Sequence, residues 1–167
     1  GRPLRLDVVP LFETGADLRA AGATLSAWMD LASTRAWLED RDRRVEVMVG
    51  YSDSAKDIGP AAATLTLYRT QAELVRWAER AGVQLTIFHG RGGSLGRGGG
   101  PLHRAVLAQP PGSLNERLKV TEQGEVIFAR YADVTLAQAH LERLASAVLV
   151  AGTRQVTRHN TAAEHRF

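Results

Sequence analysis

Between Phe88 and Pro101 the chain reads FHGRGGSLGRGGGP, seven glycines and two arginines in fourteen residues. Glycine lets a backbone take positive φ and come close to a ligand. Arginine offers a planar fork of donors matched to carboxylate or phosphate. The stretch follows an alternating apolar segment, residues 83–88. A cationic, glycine-hinged loop at the end of a strand suits the capture of a small anion. The alternative is a plain linker, but linkers are Gly/Ser-rich and do not bracket arginines with glycines. Two familiar glycine motifs do not fit. The dinucleotide fingerprint wants glycines at its first, third and sixth places, and the sixth place is Leu95 counted from Gly90 and Pro101 counted from Gly96. The P-loop ends in Gly-Lys-Ser/Thr, and the stretch has no lysine.

Other reactive residues fall into short groups: Glu13; then Ser52, Asp53, Ser54, Lys56 and Asp57; then His89 and Arg91; then Glu122, Gln123 and Glu125. Glu13 and Asp53 offer a hard, oxygen-only pair of the kind that takes Mg²⁺, whose shell is completed by water and substrate oxygens. Each also has a plainer reading, Glu13 as an acid at a helix N-terminus and Asp53 as a turn or capping residue. Lys56 is either a solvated surface lysine or a point charge for an anionic substrate. His89 reads as a core histidine held by backbone in preference to a general base. His103, His140, His159 and His165 lack metal-ligand spacing and read as structural or surface residues.

The elements that must position these groups follow from periodicity. Residues 4–12, 45–49, 83–88 and 117–121 have the apolar or alternating pattern of strands, and residues 16–38, 60–81 and 134–150 the pattern of helices. Trp28, Trp37 and Trp77 lie on helical stripes as packing residues. Gly82 is placed to stop the second helix, and residues 50–59 read as a small-residue loop. Ser113 to Glu116, Thr135 to Gln138 and Thr161 to Glu164 each have capping-box spacing. Strands alternating with helices imply right-handed crossovers and a parallel sheet. Each reactive group then follows a strand, where α/β folds place their sites.

Composition narrows the class. The 167 residues are 44% hydrophobic and 23% charged, enough for one domain with a real core. There is no cysteine, hence no disulfide and no thiolate metal site. No run is long enough to span a membrane and no signal peptide is evident, so a cytoplasmic protein is expected. The net charge is +3 with acids interspersed, aromatics are 6%, and Lys56 and Lys119 are the only lysines. A nucleic-acid binder is not expected from this, since single-strand platforms stack bases on aromatics.

The motif around Asp53, GYSDSAKD from Gly50 to Asp57, resembles that of the phosphoenolpyruvate carboxylases, as does the FHGRGGSLGRGG loop from Phe88. Val9-Pro10-Leu11-Phe12-Glu13-Thr14, Gln109-Pro110-Pro111-Gly112 and Thr121-Glu122-Gln123-Gly124-Glu125 match three further segments of that family in the same order. The resemblance covers roughly residues 4–150. It implies a partial TIM-type (β/α) barrel of parallel strands and crossover helices, from an enzyme that carboxylates phosphoenolpyruvate with bicarbonate to oxaloacetate and phosphate. It implies Mg²⁺ or Mn²⁺ and no biotin. Carried over by motif, Glu13 and Asp53 are metal ligands and Arg91 binds the substrate phosphate. Gly92 and Gly93 lie against the substrate, and Lys56 helps hold bicarbonate or phosphate. Arg97 closes over the reacting groups, and His89 supports substrate binding.

The family's upstream Thr-His-Pro motif is absent, and members are several-fold longer. The chain is therefore expected to be a single central slice of the catalytic domain, inactive alone. Its unpaired sheet edges are expected to favour self-association, and the parent to be a homo-oligomer, a tetramer in the family. The competing expectations are another Mg²⁺-dependent phosphoenolpyruvate or pyruvate barrel and a non-catalytic anion-binding module.

Overall fold

The computed structural model describes residues 6–90, 102–114, 117–122 and 124–153. It is a mixed α/β structure on a four-stranded, all-parallel sheet of order β1-β2-β3-β4. The strands are β1 (Leu11–Phe12), β2 (Arg44–Gly50), β3 (Gln84–Gly90) and β4 (Lys119–Val120). The first crossover carries α1 (Gly15–Asp30) and α2 (Ala32–Glu39), and the second α3 (Ser52–Ile58) and α4 (Pro60–Ala81). Among the described residues, α5 (Leu102–Leu107) lies between β3 and β4, and α6 (Gly124–Tyr131) and α7 (Val134–Ala151) follow β4.

The alternation in β2 and β3 puts Val45, Val47 and Val49 with Leu85, Ile87 and His89 on one buried face. Leu18 and Leu25 of α1, Leu38 of α2, and Leu67, Leu74 and Trp77 of α4 close over that face as the main core. The other face, with Glu46, Met48, Thr86 and Phe88, is only half-buried. On it Lys119 Nζ donates to Glu46 Oε1 at 2.6 Å and sits 4.7 Å above the Phe88 ring. A smaller cluster of Val106, Leu114 and Ala147 joins α5 to α7.

Helix α4 has the bounds expected for it. Proline opens its first turn, where the missing amide costs nothing, and Gly82 closes it at φ 61°, its amide reaching Ala78 and Glu79. Trp77 is buried, and Trp28 and Trp37 pack on the core with their rings 5.4 Å apart.

Several expectations are corrected. The single helix expected over 16–38 is two, parted at Leu31, whose ψ of 132° is extended. In an unbroken helix Leu38 would lie about 220° around the axis from Leu25, so the break is what brings both onto one core. No glycine or proline announces it. The first strand is far shorter than 4–12, because Pro10 has no amide to donate and joins the sheet through its carbonyl, which accepts from Met48 N at 2.8 Å. Residues 52–58, expected as loop, form α3, ended by Gly59 at φ 83°. The long C-terminal helix is capped by Asp133, whose carboxylate accepts from Leu136 N, and not by Thr135. The Ser113 hydroxyl donates to Pro110 O at 2.7 Å, and Asn115 and Glu116 of its capping-box spacing lie outside the described residues. Thr161 to Glu164 lie outside the described residues. Among the described residues no helix is long and apolar enough to cross a membrane.

Candidate functional site

The register sets a row across the carboxyl edge of the sheet. Phe12 pairs with Val49, Val49 with His89 and His89 with Val120; Gly50 pairs with Gly90 one step further on. Glu13 and Thr121 directly follow β1 and β4, and Thr121 N donates to His89 O. Glu13 lies against Gly50, for a Cβ built on Gly50 would stand 2.7 Å from Glu13 Cβ and 3.2 Å from its Cα. Two carboxyl-edge residues approach this closely because one has no side chain.

Helix α3 leaves the same edge directly after Tyr51. Asp53 stands in its first turn and Lys56 one turn on, with Nζ donating to Asp53 Oδ1 at 2.8 Å. Both are exposed. The hydrogen bond and the charge of Asp53 hold the Lys56 ammonium above its ordinary pKa, and the Glu13 carboxylate adds to the effect. Glu13, Asp53 and Lys56 thus share one electrostatic neighbourhood. The sign follows: a raised lysine stays cationic through neutral pH, and whatever the pairing contributes is lost only as pH climbs through that raised value.

Asp57 does different work, although it stands in the same motif. Its Oδ2 accepts from Gly15 N at 2.8 Å, fastening α3 to the start of α1. Gly15 is glycine for a packing reason, since a Cβ there would meet Ile58 Cγ2 at 2.7 Å. Thr14 closes a capping box with Asp17, and Gly15 N is taken by Asp57, so Glu13 sits just outside a helix start whose Gly15 and Asp17 amides already have side-chain partners.

His89 is completely buried on the helix-facing side of β3. It is a core histidine, with Nδ1 3.1 Å from the Tyr51 hydroxyl. Tyr51 Oη in turn accepts from Gln71 Nε2 of α4 at 3.3 Å. Sequence reasoning missed both partners of this chain. After β4, Glu122 accepts from Arg130 at 2.8 Å and lies 3.7 Å from His140 Nε2, so it ties the loop to α6 and α7. Burial pushes the neighbouring Tyr131 hydroxyl up, with Glu122 adding to it. Arg91, Gly92, Gly93, Arg97 and Gln123 lie outside the described residues.

Glu13 follows β1 and Asp53 opens the helix that follows β2, so each brings a carboxylate, the oxygen ligand a hard divalent ion takes, to the carboxyl side of the sheet. Among the described residues no group of three or more His, Cys, Asp or Glu could hold a metal. The remaining ligands of such an ion would be water and substrate oxygens.

The family model described as phosphoenolpyruvate carboxylase matches residues 2–166. Proteins of that name are similar to this chain: one from Roseiflexus castenholzii is 52% identical over 151 residues, 90% of this chain and 16% of that protein. One from Shewanella oneidensis is 51% identical over 149 residues, 89% of this chain and 16% of its own length. One from Mycobacterium avium is 50% identical over 142 residues, 85% of this chain and 15% of its own length. The chain therefore spans about 16% of the first of these relatives.

Proposed function

Because the chain belongs to the phosphoenolpyruvate carboxylase family, we propose that it is a segment of the catalytic barrel of an enzyme that carboxylates phosphoenolpyruvate with bicarbonate. Parallel strands in sequential order, with one face covered by helices and the other half-open, are what part of a (β/α) barrel would present. What supports the reading is that Glu13 directly follows β1 beside Gly50, that Asp53 and Lys56 pair in the helix leaving the same carboxyl edge, and that the chain leaves Gly90 of that edge toward Arg91.

Glu13 and Asp53 would hold Mg²⁺ or Mn²⁺. The bound ion would neutralise charge on the substrate oxygens. Arg91 would grip the phosphate bidentately, with Gly92 and Gly93 allowing close backbone approach. Lys56 would bring bicarbonate, or the departing phosphate, as a point charge. Both reactants are anionic, so cations must offset their repulsion before an oxygen of bicarbonate can attack phosphorus. That attack breaks the enol C–O–P linkage and yields carboxyphosphate and the enolate of pyruvate. Carboxyphosphate then releases CO₂ and phosphate, and the enolate carbon attacks CO₂ to give oxaloacetate. The intermediate hydrolyses readily, and a glycine-hinged loop carrying Arg97 would exclude water. His89, buried behind the edge, would support substrate binding by fixing the end of β3. No biotin is needed. A cytoplasmic homo-oligomeric parent belongs to the same proposal.

The test uses two proteins. The 167-residue chain alone is expected to give no oxaloacetate in a coupled malate dehydrogenase assay with Mg²⁺ and bicarbonate. The same residues grafted in place of the matching segment of the Roseiflexus relative are expected to turn over. A bicarbonate-independent product, or a soluble folded chimera without activity, would overturn the reading; turnover by the isolated chain would overturn the claim that it is an incomplete catalytic unit.

A further inference from the structure

At the amino edge of the sheet, in the turn between α2 and β2, Asp42 and Arg43 take φ of 51° and 55°. Residues other than glycine persist in this left-handed region only where their surroundings over-determine them. The arginines of the turn are tied down on both sides. Arg43 reaches the end of α4, donating to Ala81 O and Gly82 O, each at 2.8 Å, and to Glu39 Oε1 at 2.6 Å. Arg41 reaches the other way. Its side chain is 15% exposed and donates to Asp7 Oδ1 and Leu6 O, each at 2.9 Å, and to Trp37 O at 3.3 Å. Its guanidinium lies 4.6 Å over the Trp37 ring, and Trp37 Nε1 donates to the same Leu6 O at 3.2 Å.

The strands these arginines serve are unequal. β2 and β3 pair over seven residues, whereas β1 meets β2 over two, with Pro10 O as one further acceptor. Phe12 holds one end of β1 in the core, and the clamp on Leu6 and Asp7 holds the chain leading into it. Between the two, Pro10 fixes its own φ and keeps Val9 extended, so a displacement at the clamp is carried onward with little slack. Glu13 is the residue after Phe12. We propose that Arg41 is a remote positioning residue: by anchoring Leu6 and Asp7 it sets how far β1 advances along β2, and with it the place of Glu13 beside Gly50. The placement is independent of what Glu13 binds; only its effect on a divalent ion rests on the function proposed above.

The test is NMR on the ¹³C,¹⁵N-labelled chain, with Mn²⁺ titration and thermal melts alongside. The Glu13 side chain and Gly50 Cα are close enough for a nuclear Overhauser contact. Arg41→Ala should weaken that contact and raise the Mn²⁺ dissociation constant about tenfold, as when a group that orients a metal ligand is removed. Arg41→Lys keeps the charge but not the planar fork, and should lose the contact in part. Arg43→Ala should also lower Tm, yet leave the contact and the Mn²⁺ affinity native, because the longer ladder keeps β2 and β3 in register. A native contact in Arg41→Lys or in folded Arg41→Ala, or an equal loss in Arg43→Ala, would overturn the proposal. A weakened contact with native Mn²⁺ affinity would uphold the placement and overturn Glu13 as a ligand of the ion.

Discussion

Asp53→Asn in the chimeric enzyme is expected to lower kcat/KM by about 10²–10³-fold, the usual cost of removing one preorganised charge from a site of this kind. The substitution keeps the shape of the side chain and the start of α3. It removes one carboxylate of the pair proposed to hold the ion with Glu13, and the ion-pair partner that positions Lys56 Nζ, 2.8 Å away. Both losses fall on binding anions and the ion, so part of the activity should return when Mg²⁺ is raised. Asp57→Asn is the matched control. Asp57 lies in the same helix and motif but accepts from Gly15 N, so its loss should cost about 1 kcal/mol of stability and leave turnover nearly intact. A kcat/KM within about threefold of the parent for Asp53→Asn would remove Asp53 from the chemistry.

Gly50→Ala is expected to destabilise the chain by about 1–3 kcal/mol, the range for overpacking a tight interior, and so to lower Tm by about 2–12 °C for a domain of this size. The added carbon would meet Glu13 Cβ at 2.7 Å and Glu13 Cα at 3.2 Å. Neither atom is the far end of a flexible side chain, so relief must come from moving β1 away from β2. That movement carries Glu13 out of the row it shares with Gly50 and Gly90, and in the chimera activity should fall along with Tm. Gly22→Ala makes the comparison: nothing lies within 4 Å of its added carbon, and alanine inside α1 should stabilise by about 0.5–1 kcal/mol. Thermal melts of the three proteins decide it. Equal Tm values for Gly50→Ala and the parent would mean that the edge is looser than the Glu13–Gly50 contact requires.

What was legible in the sequence was whatever rests on periodicity and local stops. The alternation of Val45, Val47 and Val49 and of Leu85 and Ile87 is a pattern of two. The stripe through Leu67 and Leu74 is a pattern of 3.6, bounded by Pro60 and Gly82. These elements carry the parallel sheet, and the placement of reactive groups after strands follows from them. The rest depends on tertiary contacts that no local signal reports. Leu31 breaks a helix only because Leu38 must return to the core. Residues 52–58 look like loop because serine and aspartate favour turns, yet they form a helix, with Ser54 Oγ bonded back to Gly50 O at 2.7 Å. Asp57 and Asp53 have the same composition around them, and only the fold sends one to Gly15 and the other to Lys56. The Tyr51–Gln71 pair behind His89 spans twenty residues of sequence, and no spacing rule would have joined them.

The convergence of Glu13 and Asp53 on one divalent ion is tested most directly by adding Mn²⁺ to the ¹⁵N-labelled chain and following paramagnetic broadening of its amides. Broadening should saturate, centre on Thr14, Gly50, Tyr51 and Asp53 together, spare Ala105 and Ala147, and vanish in the Glu13→Gln/Asp53→Asn double variant. Broadening centred elsewhere, absent altogether, or undiminished in the double variant would contradict the account.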